Sequence, residues 1–155
     1  MRFVVQRVKK AMCIVDDEVT GAIGKGYVVL MGVSDNDDKE IADKMVQKLI
    51  RLRIFDDEEG KTNLDIKSVD DPGKVSVLLI SQFTLYADCR KGNRPSFTKA
   101  GSPDMAQDLY EYCSDKIREE GIRCEMGIFG ADMKVSLLND GPFTVILDSD
   151  EIIKK

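Results

Sequence analysis

Two apolar runs constrain the fold of this chain more than any other feature. Residues 27–33 (Tyr-Val-Val-Leu-Met-Gly-Val) and 75–80 (Val-Ser-Val-Leu-Leu-Ile) lack the alternation of a half-wet strand and read as buried strands. Buried strands need covering layers, and only two segments carry a helical period. In residues 38–53, Ile41, Ala42, Met45, Val46, Leu49 and Ile50 recur at helical spacing behind capping residues at 34–38. In residues 103–120, Ala106, Leu109, Tyr110, Cys113 and Ile117 do the same, with Ser102 as cap, Pro103 at the first helical position and Gly121 as the stop. Two helices are too few to cover both faces of a large parallel sheet. The sequence therefore predicts an α/β chain with mixed, barrel-like sheet layers and two main helices, not a doubly wound fold. Gly24, Gly26 and Gly32 form no dinucleotide fingerprint either.

The remaining strands are shorter. Residues 2–8 alternate and are rich in valine, 11–15 look like their partner, and Asp16-Asp17-Glu18 turns the chain into a third strand at 19–23. Residues 56–73 form a polar excursion with Gly60, Pro72 and Gly73, around a short Leu64-Asp65-Ile66 segment. A central strand is expected over 75–85, a loop over 88–103, and strands over 123–126, 133–138 and 143–147. There is no repeat, linker or low-complexity stretch, so one domain spans residues 1–155.

What the chain lacks restricts its chemistry. It has no histidine, so a Ser-His-Asp or Cys-His relay and the usual His-rich metal site are ruled out. Cys13, Cys89, Cys113 and Cys124 show no C-x-x-C spacing, so no metal and no cofactor is expected. With no secretory signal and no long apolar span, the expectation is a cytoplasmic protein with reduced thiols and no membrane contact. The net charge of −5 argues against a general nucleic-acid coat, though a local basic patch fits within it.

Two segments concentrate the remaining signal. Ser81-Gln82-Phe83-Thr84 places hydroxyls and an amide where a buried strand ends, a place to hold a reacting carbonyl; the same residues also read as capping and turn chemistry. Asn139-Asp140-Gly141-Pro142-Phe143-Thr144 puts a Gly-Pro step between two strand-like runs, where a hairpin turn would suffice. Such a step adopts a cis peptide at low cost, although a trans turn is its ordinary reading. Together they suggest a site built largely from backbone. Arg90-Lys91-Gly92-Asn93-Arg94 reads equally as a solvated turn or a phosphate contact, and Asp56-Asp57-Glu58-Glu59 as a solvated loop. Cys89 adjoins no histidine or helix start and reads as inert.

From end to end the chain resembles the D-aminoacyl-tRNA deacylase family. The matching stretches are Met1 through Val8, Leu52-Arg53-Ile54-Phe55, Ser81 through Ala87, Arg90 through Phe97, Phe129-Gly130-Ala131-Asp132-Met133, and Asn139 through Thr144, in the family's order. Phe143 stands where a valine is usual, and Cys89 where a threonine is common. The resemblance implies hydrolysis of the ester between a D-amino acid, or glycine, and the terminal ribose of tRNA. It implies a homodimer in which Gly141-Pro142, in cis, reaches into the pocket of the second subunit. Its carbonyl oxygens would receive the substrate's α-ammonium and leave no volume for an L side chain. Arg7 would steady that loop, and Asn139 belongs to the same substrate-binding set. Backbone N–H groups around Phe83 and Thr84 would face the oxyanion, and the tRNA 2′-hydroxyl would help activate water. Ser81 belongs to the same catalytic segment; Gln82 and Thr84 would orient the substrate, with Thr84 as a covalent nucleophile the less favoured variant, and the terminal adenine would pack near Phe129 and Met133. Two other classes compete: a non-catalytic nucleic-acid-binding module, and a regulator that binds free D-amino acids.

Overall fold

The computed structural model describes residues 1–69 and 74–153, so Pro72 and Gly73 of the polar excursion lie outside the described residues. In chain order the elements are β1 (Arg2–Val15), β2 (Glu18–Ile23), β3 (Gly26–Gly32), α1 (Lys39–Ile50), β4 (Phe55–Asp56), β5 (Thr62–Leu64), β6 (Ser76–Ser81), a 3-10 turn (Phe83–Tyr86), α2 (Pro103–Glu119), β7 (Arg123–Met126), β8 (Lys134–Asp148) and α3 (Ser149–Ile152).

The two apolar runs become β3 and β6, which lie side by side and parallel, with Tyr27 paired to Val77 and Met31 to Ser81. Their side chains alternate between two cores. Tyr27, Val29, Met31, Val77 and Leu79 pack against α1 and α2 through Met45, Leu49, Leu109 and Ile117. Val28, Leu78 and Ile80 turn the other way and meet Val8, Cys13 and Ile23. The second core is enclosed by the sheet itself. β3 pairs with the first half of β1 and β2 with the second half, while β7 lies parallel to β6. β7 then approaches β2: Arg123 Nη2 donates to the Ala22 carbonyl at 3.4 Å, and a Cβ added at Gly21 would stand 2.8 Å from the Met126 carbonyl oxygen. The sheet is thus a nearly closed, barrel-like layer with helices on one side, as two helices and two doubly buried strands require. Full burial of each such Val, Leu or Ile contributes about 1.5–3 kcal/mol.

β1 is one continuous strand where the sequence predicts two. The polar pair Lys9-Lys10 resembles a turn but is a bulge: both residues are exposed, while Val8 and Ala11 on either side enter the same core. The register against β8 shifts at this point. The Gly141-Pro142 step, placed where a hairpin turn would suffice, likewise lies in a bulge. Both halves of β8 run antiparallel to the same strand β1, with Thr144 opposite Gln6 and Asn139 opposite Val8, so residues 140–143 swell out beside Arg7 without reversing the chain. β6 stops at Ser81, short of the expected end at residue 85. The Gln82 N–H still reaches the Met31 carbonyl at 2.7 Å, and the chain then folds into the 3-10 turn.

The helices follow their signals closely. The Asp38 carboxylate accepts the Ile41 N–H at 2.8 Å and caps α1. At α2, Ser102 occupies the cap position, yet its side chain makes no capping bond; Pro103 has already removed one of the open N–H groups that would need it. Gly121, at φ 81°, ends α2 as expected. The short α3 has no apolar period and escapes a sequence reading. It is held by its surroundings: Asp148 caps it through the Asp150 N–H at 3.1 Å, and the buried Met1 ammonium lies between Asp37 and the Ser149 hydroxyl.

Asp148 also accepts two bonds from Arg2, at 2.8 Å from Nε and 2.6 Å from Nη2. Burial pushes its carboxyl upward, but the Arg2 and Asp150 donors outweigh that and hold it below its ordinary value. The ionised form is therefore the one that stabilises the fold. That contribution is complete above the ordinary carboxylate range and is lost as pH falls through the lowered value. Asp148→Asn should cost about 1 kcal/mol at neutral pH. In urea titrations the gap to the parent chain should close in acid, and a gap independent of pH would contradict this assignment.

Candidate active site

Three segments converge on a cavity of about 500 Å³. Ser81, Gln82 and Phe83 come from the end of β6, Gly101, Pro103 and Ala106 from the start of α2, and Phe129 through Met133 from the connection between β7 and β8. Ile80 and Val135 complete the lining, which is mostly apolar, with Asp132 its one charged member. Two close approaches set its shape. A Cβ on Gly32 would stand 3.0 Å from Leu85 Cβ, so the missing side chain lets the 3-10 turn sit against β3. Behind β6, the Tyr110 hydroxyl donates to the Leu79 carbonyl at 2.7 Å, and the Tyr110 ring lies 6.0 Å from that of Phe129. Burial raises the Tyr110 phenol above its ordinary value, so it remains a neutral donor. In the sequence Tyr110 reads only as a core residue; its polar tip inside a helix's apolar stripe was the available signal.

The 3-10 turn begins at the cavity rim, where Gln82 and Phe83 are lining residues. Its bonds run from the Leu85 N–H to Gln82 and from the Ala87 N–H to Thr84, at 3.3 and 3.1 Å. The Phe83 and Thr84 N–H groups stand at the open start of the turn, where no acceptor within the turn is available. Gln82 Nε2 donates to the Thr84 hydroxyl, which orients both side chains. Phe83 is exposed and meets Phe97 edge-on at 4.9 Å between centroids. Thr84 itself is not among the cavity's lining residues.

The second predicted cluster forms elsewhere. Arg7 is 7 % exposed and sits on an interior strand, not on a surface edge. Its Nε donates to the Asp140 carbonyl at 2.9 Å, and its Nη1 to the Ile54 carbonyl at 2.7 Å and to Asp56 at 3.2 Å. Asp56, read as part of a solvated loop, is thus drawn to the buried guanidinium. The Phe143 ring lies over the same group, with its centroid 4.7 Å from the guanidinium carbon, which gives a physical role to that departure from the usual valine. Asn139 grips Phe143 from the other side: its Oδ1 accepts the Phe143 N–H at 2.6 Å and its Nδ2 donates to the Phe143 carbonyl at 3.3 Å. Between these anchors the Gly141–Pro142 peptide is cis, and both residues are exposed.

Within one chain the two clusters do not meet. Ser81 pairs with Met31, whereas the 140–143 bulge lies opposite Arg7, which pairs with Tyr27. Four residues of strand separate those positions, about 13 Å along β3. Arg7, Asn139, Gly141 and Pro142 contribute nothing to the lining of the cavity in their own chain.

Other candidate groups take up lesser roles. Arg90 folds back on Asp88 through bonds of 2.9 and 3.0 Å from Nε and holds that carboxyl well below its ordinary range, while Lys91 and Arg94 are exposed. Cys89 is exposed; Cys13, Cys113 and Cys124 are buried, and burial raises the thiols of Cys113 and Cys124. Among the described residues no three His, Cys, Asp or Glu side chains converge, and no helix is long and apolar enough to cross a membrane.

Comparison with known proteins draws these features together. Residues 4–148 match the family described as D-Tyr-tRNA(Tyr) deacylase. A D-aminoacyl-tRNA deacylase of Thermosipho melanesiensis is 50% identical over 153 residues, covering 98% of this chain and 99% of the relative. That of Lactobacillus acidophilus is 48% identical over 148 residues, covering 96% and 99%. Among solved structures, one described as a c-Myc DNA unwinding element binding protein superposes with a TM-score of 0.86 at 37% identity, covering 96% of this chain and 98% of that one. A probable eukaryotic D-amino acid tRNA deacylase, at 20% identity and a TM-score of 0.78 over 94% and 97% of the two chains, shares the fold. With the match spanning both the cavity and the 140–143 bulge, this chain belongs to the D-aminoacyl-tRNA deacylase family.

Proposed function

We propose that this chain hydrolyses the ester joining a D-amino acid, or glycine, to the terminal ribose of tRNA, as a homodimer in which each subunit's 140–143 loop completes the other's cavity. The observation that carries this reading is the division of the site. The loop is braced at its root by Arg7 and Asn139 and exposed at its tip, yet it stands clear of its own cavity. A second copy supplies what one chain lacks. The free edge of β8 suits such a contact, because among the described strands β8 pairs only with β1 and its Leu138 and Ile146 are 49% and 65% exposed.

The chemistry follows from activated ester and positioned backbone. Water adds to the ester carbonyl carbon, and the negative charge that grows on the carbonyl oxygen is met by the Phe83 and Thr84 N–H groups. The carbon–oxygen bond to the ribose then breaks, and the 3′-oxygen leaves with a proton. The neighbouring 2′-hydroxyl of the substrate assists the attacking water, so no histidine is needed. Phe129 and Met133 flank the terminal adenine, while Ser81 and Gln82 hold the reacting group at the strand end. Carbonyl oxygens of the inserted Gly141-Pro142 loop receive the α-ammonium and occupy the space of an L side chain. Glycine, without a side chain, passes the same gate.

A second reading, a nucleic-acid-binding module, has one observation in its favour: the DNA unwinding element binding protein is related at 37% identity. Turnover separates the two. Release of D-tyrosine from charged tRNA, with L-tyrosine retained, is the expected result; binding of DNA without any release would overturn the hydrolase reading.

Two variants probe the assigned roles. Thr84→Ala should keep most of the deacylation rate, because the Thr84 contribution is its N–H, whereas a tRNA ending in 2′-deoxyadenosine should bind and fail to turn over. Complete loss in Thr84→Ala with the fold intact would make its hydroxyl the nucleophile. Arg7→Lys retains a cation but cannot reach the Asp140 and Ile54 carbonyls with a planar fork. It should lower stability by about 2 kcal/mol and activity with it. Full activity in thermally characterised Arg7→Lys dimers would remove the loop from the site.

A further inference from the structure

We propose that a basic groove along the C-terminal half of α1 holds the phosphate backbone of the tRNA whose 3′ end occupies the other subunit's cavity; this rests on the homodimeric deacylase described above. The groove, of about 900 Å³, runs between α1 and Ile152–Ile153. Lys44, Lys48, Arg51 and Arg53 line it, on a chain whose net charge is −5. Residues three and four apart share a helix face, so Lys44, Lys48 and Arg51 form one row of cations.

The row is only partly neutralised from within. Lys44 pairs with Glu40 and Arg53 is tied to Asn63, but the side chains of Lys48 and Arg51 make no hydrogen bond or salt bridge among the described residues. Arg51 senses Glu120 only through space. The groove's own carboxylate, Asp43, keeps its charge but is engaged by the Tyr112 hydroxyl at 2.8 Å and makes no salt bridge to the row. Unpaired cations beside an apolar floor of Leu52, Ile152 and Ile153 suit a chain of phosphates and riboses.

Position selects RNA over an acidic protein. The chain leaves the groove at Arg53 and enters Ile54, whose carbonyl accepts Arg7 Nη1, while Arg7 Nε holds the Asp140 carbonyl. The groove therefore ends at the root of the 140–143 loop. In the dimer that loop sits in the opposite cavity, so the cations flank the path by which an acceptor stem leaves it. Each subunit holds the stem for its neighbour.

The test compares D-tyrosyl-tRNA with D-tyrosyl-adenosine, which keeps the terminal nucleoside and lacks the stem. In the intact dimer, K48Q/R51Q should raise KM for the tRNA roughly tenfold and reduce the salt slope of its binding by about two, since two phosphate contacts are lost. Its kcat and its hydrolysis of D-tyrosyl-adenosine should match the parent, and K48R/R51K should restore KM. An unchanged KM for tRNA overturns the proposal, as does equal impairment on both substrates. So does weakened polyglutamate binding with tRNA kinetics intact, which would assign the groove to an acidic protein. Failure of the parent dimer on both substrates would instead refute the deacylase reading itself. Mixed dimers test the crossing. With K48Q/R51Q and a cavity-blocking Ala131→Trp in one chain beside a parent chain, KM should rise; with the two changes on different chains it should be normal. The reverse pattern places groove and cavity on one chain and overturns the cross-subunit assignment.

Discussion

A guanidinium withdrawn from water must find acceptors for its N–H groups, and Arg7 finds three of them in two separate parts of the chain. Its donors reach the backbone at Ile54, the backbone at Asp140 and the carboxylate of Asp56. Each bond is worth about 1.5–3 kcal/mol when one partner is charged, and removing a partner would leave a buried cation unsatisfied at still greater cost. That demand fixes β1 against the segment after α1 and against the bulge in β8 at once. The bulge therefore has a defined root. Phe143 covering the guanidinium and Asn139 gripping Phe143 extend the same rigidity to the tip-bearing residues.

From this one buried charge follows a division between the parts of the site. The cavity depends on the end of β6, whose depth is set by Tyr110 bonding Leu79 and by the close seat of the 3-10 turn on Gly32. The loop depends on β1 and β8. These are separate clusters that share the sheet and the main core, and a dimer would bring each loop to a cavity without either cluster having to move. Preorganised backbone donors need no reorganisation when charge develops, which suits a chain without histidine.

Much of this was legible in the residues. The runs at 27–33 and 75–80, too apolar for a half-wet sheet, demanded two covered faces, and α1 and α2 declared themselves by period, caps and stop. The bulges were not legible, for a physical reason. A polar pair such as Lys9-Lys10 and a Gly-Pro step look locally the same whether the chain reverses or merely swells, and only pairing with a distant strand decides. Asp56 was unreadable for the same cause: an acidic run is a solvated loop until a buried arginine arrives from residue 7. Lys48 and Arg51 fall outside the apolar period of residues 38–53, and nothing local relates them to the loop at 140–143.

A gate that works by exclusion has an energetic consequence. If the proposed loop rejects L side chains by occupying their volume, and if glycine passes, the cavity gains little from the side chain of the amino acid it accepts. Its apolar lining and few polar groups can position the terminal nucleoside and the ammonium, but a shared 3′ end is common to every tRNA. Affinity for the macromolecule must then come from outside the cavity, where phosphates offer many equivalent contacts. Binding energy gathered there would hold the ester against the proposed Phe83 and Thr84 N–H groups without being spent on recognising a side chain. The overall charge of −5 fits this arrangement as well as the basic groove does. On the proposed reading, acidic residues elsewhere would discourage indiscriminate contact with nucleic acid, and the cations of α1 would act only where a stem emerges from a filled cavity.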